Sequence, residues 1–147
     1  MRINYTSCEK IDLGCGKSKR KGFTGIDILD QGQEILCDVR HGIPLPDNSV
    51  SELYSSHFVE HLTPSELPAV FLEILRVCKD NSTITIHCPE ASTDEAYFNC
   101  HFSLWNEKKI KGMCQGINGN TSIKATVTIE KFEVEGIEMR CILRVKK

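Results

Sequence analysis

The stretch Lys10-Ile11-Asp12-Leu13-Gly14-Cys15-Gly16 constrains this chain more than any other part of it. A short apolar strand signal runs directly into a Gly-x-Gly turn, where glycines let the backbone bend sharply and let a ligand approach it closely. A second strand signal, Phe23 to Asp27, follows with nine residues between, and a third, Glu34 to Cys37, with six more. Parallel neighbours need a crossover of roughly a dozen residues, usually helical. Gaps this short predict shortened helices after strands 1 and 2. One sheet face is then thinly covered, and a second copy of the chain, as a homodimer, is the expected cover.

The rest of the chain supplies further strands and two helices. Val50 to Ser56 reads as a fourth strand behind the turn Pro46-Asp47-Asn48-Ser49. Thr63, Pro64 and Glu66 give the start signals of a helix, with Pro68 moving its regular part later. Leu67, Val70, Phe71, Ile74, Leu75 and Cys78 recur at helical spacing on one face. Thr83 to Cys88 is a β-branched strand stopped by Pro89, and Ser103 to Gly116 reads as a second helix. The period then drops to two. Ile123, Ala125, Val127 and Ile129 alternate with polar residues, as do Ile137, Met139, Cys141, Leu143 and Val145 beyond a turn at Gly136. That is an antiparallel hairpin. The fold class is α/β, and 147 residues make a single domain, 1–147.

Composition closes off several functions. Eighteen basic side chains against 20 acidic ones leave a net charge of −2, which excludes a broad basic surface and argues against a nucleic-acid partner. No apolar run approaches the ~20 residues of a membrane span. The eight cysteines are scattered, with no C-x-x-C, and the first residues lack the apolar run of a signal peptide. Free, mostly buried thiols in a reducing, cytoplasmic setting are expected.

The glycine turn and the acid closing the next strand, Asp27, suit a ribose-bearing ligand. Gly16-Lys17-Ser18 looks like the tail of a phosphate-binding P-loop, but Ile11 stands where that motif has its first glycine. A dinucleotide fingerprint has a third glycine where this chain has Lys19, and its acid lies about 20 residues on; Asp27 follows Gly14 by 13. S-adenosylmethionine carries a ribose and an adenine but no phosphate, so it needs a turn more than a helix.

Ile11-Asp12-Leu13-Gly14-Cys15-Gly16 resembles motif I of class I S-adenosylmethionine-dependent methyltransferases, and Gly25-Ile26-Asp27-Ile28 resembles their second motif. Cys37-Asp38-Val39 with Ile43-Pro44-Leu45-Pro46-Asp47-Asn48-Ser49-Val50 is similar to their third strand and connector, and Ser55-Ser56-His57-Phe58-Val59-Glu60-His61-Leu62 to the end of the fourth. The likeness runs from residue 10 to about 90, and the short loop after Gly16 is similar to that of small, compact type 11-like members. It implies a Rossmann-like, mostly parallel sheet of about seven strands ending in the antiparallel hairpin. It also implies S-adenosyl-L-methionine as cofactor. Asp12, Gly14, Cys15 and Gly16 would hold its methionine part, Asp27 the ribose, Ile28 the adenine face, and Asp38 and Val39 the adenine edge. Ser55, Ser56 and His57 would flank the methyl group. Two positions depart from the pattern: Ser18 replaces a further glycine, and Ser51-Glu52 replaces the connector's closing Asp.

A general base helps when a methyl acceptor is a hydroxyl. His57, His61, His87, Glu90 and His101 are the candidates at the sheet's C-terminal edge, with His57 favoured and a small molecule expected as acceptor. Two other readings remain open. One is a cofactor-binding module without methyl transfer of its own. The other is a metal-dependent hydrolase, because His57-Phe58-Val59-Glu60-His61 matches H-x-x-E-H. That motif needs both histidines on one helix face, whereas helix signals start only at Thr63, so no metal is expected. The adjacent pairs His87-Cys88 and Cys100-His101 would point to opposite faces if extended.

Overall fold

Alternation along short β-branched runs builds one twisted sheet. In the computed structural model, which describes residues 2–3 and 8–147, it contains β1 (Arg2–Ile3), β2 (Lys10–Leu13), β3 (Thr24–Asp27), β4 (Ile35–Leu36), β5 (Val50–Ser56), β6 (Cys78–Pro89), β7 (Thr126–Glu135) and β8 (Glu138–Lys146). The spatial order is β1-β4-β3-β2-β5-β6-β8-β7. β4, β3, β2, β5 and β6 are parallel. β8 runs antiparallel to β6 and β7 antiparallel to β8. The seven expected strands are all present, and β1 adds a two-residue antiparallel edge on β4.

The strand order reverses between β2, which continues outward to β3, and β5, which continues to β6. In an open α/β sheet the crevice beyond the strand ends at such a switch point is where ligands bind. Gly14 and His57 both lie there, each one residue past the end of its strand.

Two helices, α1 (Leu67–Val77) and α2 (Glu107–Gly119), pack on one face of the sheet. Ile11, Leu13, Leu53, Ile84, Ile86, Cys141 and Leu143 form its apolar floor, all at 1% exposure or less. α1 starts at Leu67 because Pro68 has no N–H to donate, which costs nothing in a first turn whose donors lack helical partners. α2 starts at Glu107, four residues later than the spacing predicts. Asn106 caps it by accepting the Lys109 N–H at 2.9 Å, while Trp105 is tied to the β6 extension by the Ala91 N–H. A bulge between Ile129 and Lys131 shifts the phase of β7, so Ile129 and Phe132 both pack toward the core.

The gaps after β2 and β3 hold turns, not the shortened helices the sequence predicts. The first loop folds over the helix-free face instead. The Arg20 guanidinium lies 4.5 Å from the Tyr54 ring and 5.3 Å from that of Phe23. Its backbone N–H donates to Asp12 Oδ2 at 2.7 Å. Apart from Ile142 and Leu36, the rest of that face is polar: Lys10–Glu52 and Arg144–Glu130 ion pairs span it, and the row Ser56, His87, Arg140, Glu133 crosses four strands. Two helices suffice because the second face has little apolar surface to hide.

No α-helix joins β4 to β5. A single 3₁₀ turn (Val39–His41) leads to an extended connector, which Arg76 of α1 holds. Its guanidinium donates to the carbonyls of Ile43 and Leu45 at 2.7 and 2.9 Å and to Asp47 at 2.7 Å. Glu73 accepts the Ile43 N–H at 2.8 Å. All eight cysteines are free; six are buried, Cys37 is half-buried and Cys100 is exposed. No helix among the described residues is long and apolar enough to cross a membrane.

Candidate functional site

The turn after β2 is held open by its own backbone. Gly14 and Gly16 have φ of +69° and +53°, a region that carries a penalty of about 1–2 kcal/mol for residues with a Cβ. Gly14 and Cys15 N–H both reach the Ile26 carbonyl, at 2.8 and 3.2 Å. Phe58 packs so tightly on Gly14 that a Cβ there would sit 2.5 Å from its ring. Gly16 faces open space.

Asp27 closes β3 against this turn. Its Oδ2 accepts the Gly16 N–H at 2.8 Å and its Oδ1 the Leu29 N–H at 2.9 Å. A carboxylate oxygen has two lone pairs, so each keeps one for a ligand hydroxyl. Ile28 and Leu29, 53% and 63% exposed, stand beside it as an apolar lip. Asp38 follows β4 and caps the 3₁₀ turn by accepting the Arg40 N–H at 3.0 Å. Arg40 also turns its guanidinium back onto the carboxylate, at 2.7–3.1 Å. That contact holds the Asp38 carboxyl below the usual carboxylate range.

Gly14, Gly16, Asp27, Ile28, Asp38, Val39 and His57 line one cavity of about 450 Å³, together with Arg40, Phe58, His61 and Glu66. The structure does not bring Asp12, Cys15, Ser55 or Ser56 to its wall. Asp12 points to the helix-free face and braces the Arg20 loop; burial raises its pKa. Cys15 packs under β3, its sulfur 2.8 Å from where a Cβ on Gly25 would lie, and its thiol is pushed up to about 11, chiefly by burial. Ser55 is buried with an unpartnered hydroxyl, and Ser56 lies in the polar row of the opposite face.

His57 adopts φ +52°, a left-handed conformation seldom taken by a residue with a side chain. Its N–H is anchored to the His87 carbonyl at 2.8 Å. Its Nε2 lies 2.8 Å from Glu138 Oε1, while Glu138 Oε2 lies 2.6 Å from His87 Nε2. One carboxylate thus bridges two imidazoles. On the other side, Nδ1 is 3.4 Å from Glu60, a carboxylate only 2% exposed with no hydrogen bond to either oxygen. A carboxylate can only accept, so a neutral His57 donates through Nε2 and keeps its lone pair on Nδ1.

Glu138 was not among the candidate residues, although the hairpin register opposite Pro89 is its signal, and Glu60 entered only as the base of the H-x-x-E-H hydrolase reading. The hydrolase geometry is absent. Residues Val59–His61 form one 3₁₀ turn, and the rings diverge, His57 toward Glu138 and His61 toward the Cys100 carbonyl. A second groove of about 510 Å³ between α1 and α2 is walled mainly by Leu67, Phe71, Leu75, Trp105 and Ile117 and offers little that could bind hydroxyls.

No family model matches the chain, and no curated protein matches it in sequence. Solved structures do. A SAM-dependent methyltransferase from Archaeoglobus fulgidus shares its fold with a TM-score of 0.71 at 18% identity, over 93% of this chain and 86% of that one. A phosphoethanolamine N-methyltransferase from Haemonchus contortus, solved with phosphoethanolamine and S-adenosylhomocysteine, gives 0.74 at 10% identity, over 99% of this chain and 40% of that one. A Haloferax volcanii protein solved in complex with the Trm112 methyltransferase activator gives 0.68 at 12%, over 100% and 86%. What is shared at these identities is the fold, that of class I S-adenosylmethionine-dependent methyltransferases.

Proposed function

We propose that the chain binds S-adenosyl-L-methionine in the cavity at the switch point and transfers its methyl group to a small-molecule acceptor. One observation carries the reading: the turn glycines, the acid ending β3 and the acid that follows β4 line one cavity, and Asp27 keeps acceptor capacity on both oxygens. About 450 Å³ is within the ordinary range for a ligand of this size.

The cofactor, when bound, supplies an electrophilic methyl group on a sulfonium. Asp27 grips the ribose hydroxyls. Ile28 and Leu29 cover the adenine, and Asp38 takes its amino group in place of part of the Arg40 guanidinium contact. Gly14 and Gly16 let the amino-acid part lie on the backbone. His57 stands at the acceptor side and takes the acceptor's proton on Nδ1. Glu138 fixes its tautomer. Holding donor and acceptor in line is the larger contribution to rate; the base adds about 10²–10⁴-fold when the acceptor is a hydroxyl.

A homodimer would use the helix-free face. Its polar rows make that contact hydrated and charge-paired rather than an obligate apolar one.

Calorimetric titration with S-adenosylmethionine and S-adenosylhomocysteine tests the binding step, followed by an acceptor screen comparing wild type with His57→Asn. Asparagine tolerates the left-handed backbone, so the variant should bind cofactor normally and lose turnover. Absence of saturable binding by either compound would overturn the reading.

A further inference from the structure

The loop between β6 and α2 brings a second set of chemical groups to the mouth of the cavity. His61, Cys100 and His101 each place a ligand-type atom within 4.8 Å of the others. A tetrahedral zinc ion, with bonds of about 2.0–2.3 Å, needs its ligand atoms roughly 3.5 Å apart. Small side-chain rotations close that difference.

Three further observations fit a ligand set. His61 Nδ1 is 2.8 Å from the Cys100 carbonyl oxygen. A carbonyl can only accept, so Nδ1 carries the proton and Nε2 the lone pair, the usual arrangement of a metal-bound histidine. His101 Nδ1 is buried and has no hydrogen-bond partner, a costly state unless something occupies its lone pair or takes its proton. The two segments are also fastened together. Phe102 and Ser103 N–H donate to the Glu60 carbonyl at 2.8 and 3.2 Å. Ser103 Oγ donates to the Val59 carbonyl at 3.0 Å and accepts from the Trp105 indole at 2.9 Å. The grouping does not depend on two independent surface loops. Residues 100 and 101 lie outside any strand, so the rule that neighbours point to opposite faces does not apply to them.

We propose that His61, Cys100 and His101 bind one transition-metal ion of the zinc class. Two imidazoles and one thiolate match its ligand preference. Cys100 is exposed, which leaves the fourth position to water. His61 also lines the cofactor cavity, so the ion would sit at its rim. The inference does not rest on methyl transfer, and its test uses the metal alone.

The 147-residue chain, stripped with a chelator, is titrated with Zn²⁺ against a chromophoric competitor, and in parallel with Co²⁺. One equivalent should bind, and the cobalt form should show a thiolate charge-transfer band. Cys100→Ser should abolish that band, and both Cys100→Ser and His101→Ala should weaken zinc binding by at least about tenfold. Cys37→Ser should change neither. In chelator, wild type and Cys100→Ser should melt at the same temperature, and only wild type should gain stability with zinc. Zinc should also protect Cys100 from alkylation. Failure to bind saturably overturns the proposal, as does full-strength binding by Cys100→Ser or equal loss in Cys37→Ser.

Discussion

The Asp27 carboxylate and the Gly16 amide are hydrogen-bonded at 2.8 Å, which makes the glycine turn and the acid proposed to hold the ribose one unit. Asp27→Ala removes the charged acceptor and releases the turn together. Hydrogen bonds to charged groups contribute about 1.5–3 kcal/mol, so affinity for S-adenosylmethionine should fall by roughly 10- to 100-fold. Isothermal titration of folded variant against wild type measures this. Unchanged affinity would remove Asp27 from the site.

The two glycines should respond differently to alanine. Both have positive φ, but only at Gly14 would the new Cβ strike the Phe58 ring, at 2.5 Å. Gly16→Ala should cost about 1–2 kcal/mol from the backbone alone, and Gly14→Ala about 2–4 kcal/mol. Adding Phe58→Ala should recover part of the Gly14→Ala loss, a non-additivity visible in urea melts. Equal effects of the two single substitutions would mean that Phe58 does not press on the turn.

Strand periodicity made most of the sheet legible, because each strand has one face in the core. Ile11 and Leu13, or Cys141, Leu143 and Val145, announce their strands by burial alone. What covers the other face could not be read this way. The basic run Lys17, Lys19, Arg20, Lys21 looks like a solvated loop. Yet Arg20 covers Tyr54, and Lys19 reaches Glu34, which accepts the Gly25 N–H at 2.8 Å. Such contacts join residues whose nearness depends on the whole loop path. The site divides likewise. Gly14, Gly16, Asp27 and Asp38 were legible because strand ends fix their backbone. Glu138 was missed because only the β6–β8 register brings it to His57, and Glu60 was read as a hydrolase base because the irregular turn that sets it beside His57 looks in sequence like a helix motif.

Arg76 and Glu73 hold the connector that takes the place of a helix between β4 and β5, and this gives a pH dependence with a defined sign. The Arg76 guanidinium holds the Glu73 carboxyl below its ordinary range. An acid whose folded pKa is depressed contributes stability that is complete above its unfolded value, about pH 4.3, and is lost as pH falls through the folded one. Glu73→Gln should therefore cost about 1–3 kcal/mol at pH 7. The gap to wild type should shrink as pH drops below about 4. Denaturant melts across the acid range check this. A gap independent of pH would mean the pair contributes through packing only.

Asp12 should show the opposite sign and also tests its assignment. It is 3% exposed, and burial raises its pKa. An acid whose folded pKa is raised binds its proton more readily in the native state, so the penalty of its buried charge is present at neutral pH and relieved as pH falls through the folded value. Asp12→Asn can still accept the Arg20 N–H through its amide oxygen. It should match or exceed wild-type stability at pH 7, with the advantage disappearing in acid, whereas Asp12→Ala should lose about 1–3 kcal/mol with the loop tie. The resemblance to methyltransferase motif I implies a role for Asp12 under the methionine part of the cofactor. The geometry turns it to the opposite face, against Arg20. Titration of Asp12→Asn with S-adenosylmethionine decides between them. Affinity within about threefold of wild type, a difference under about 1 kcal/mol, supports the bracing role. A tenfold loss in a variant with an unchanged melting temperature assigns Asp12 to the cofactor.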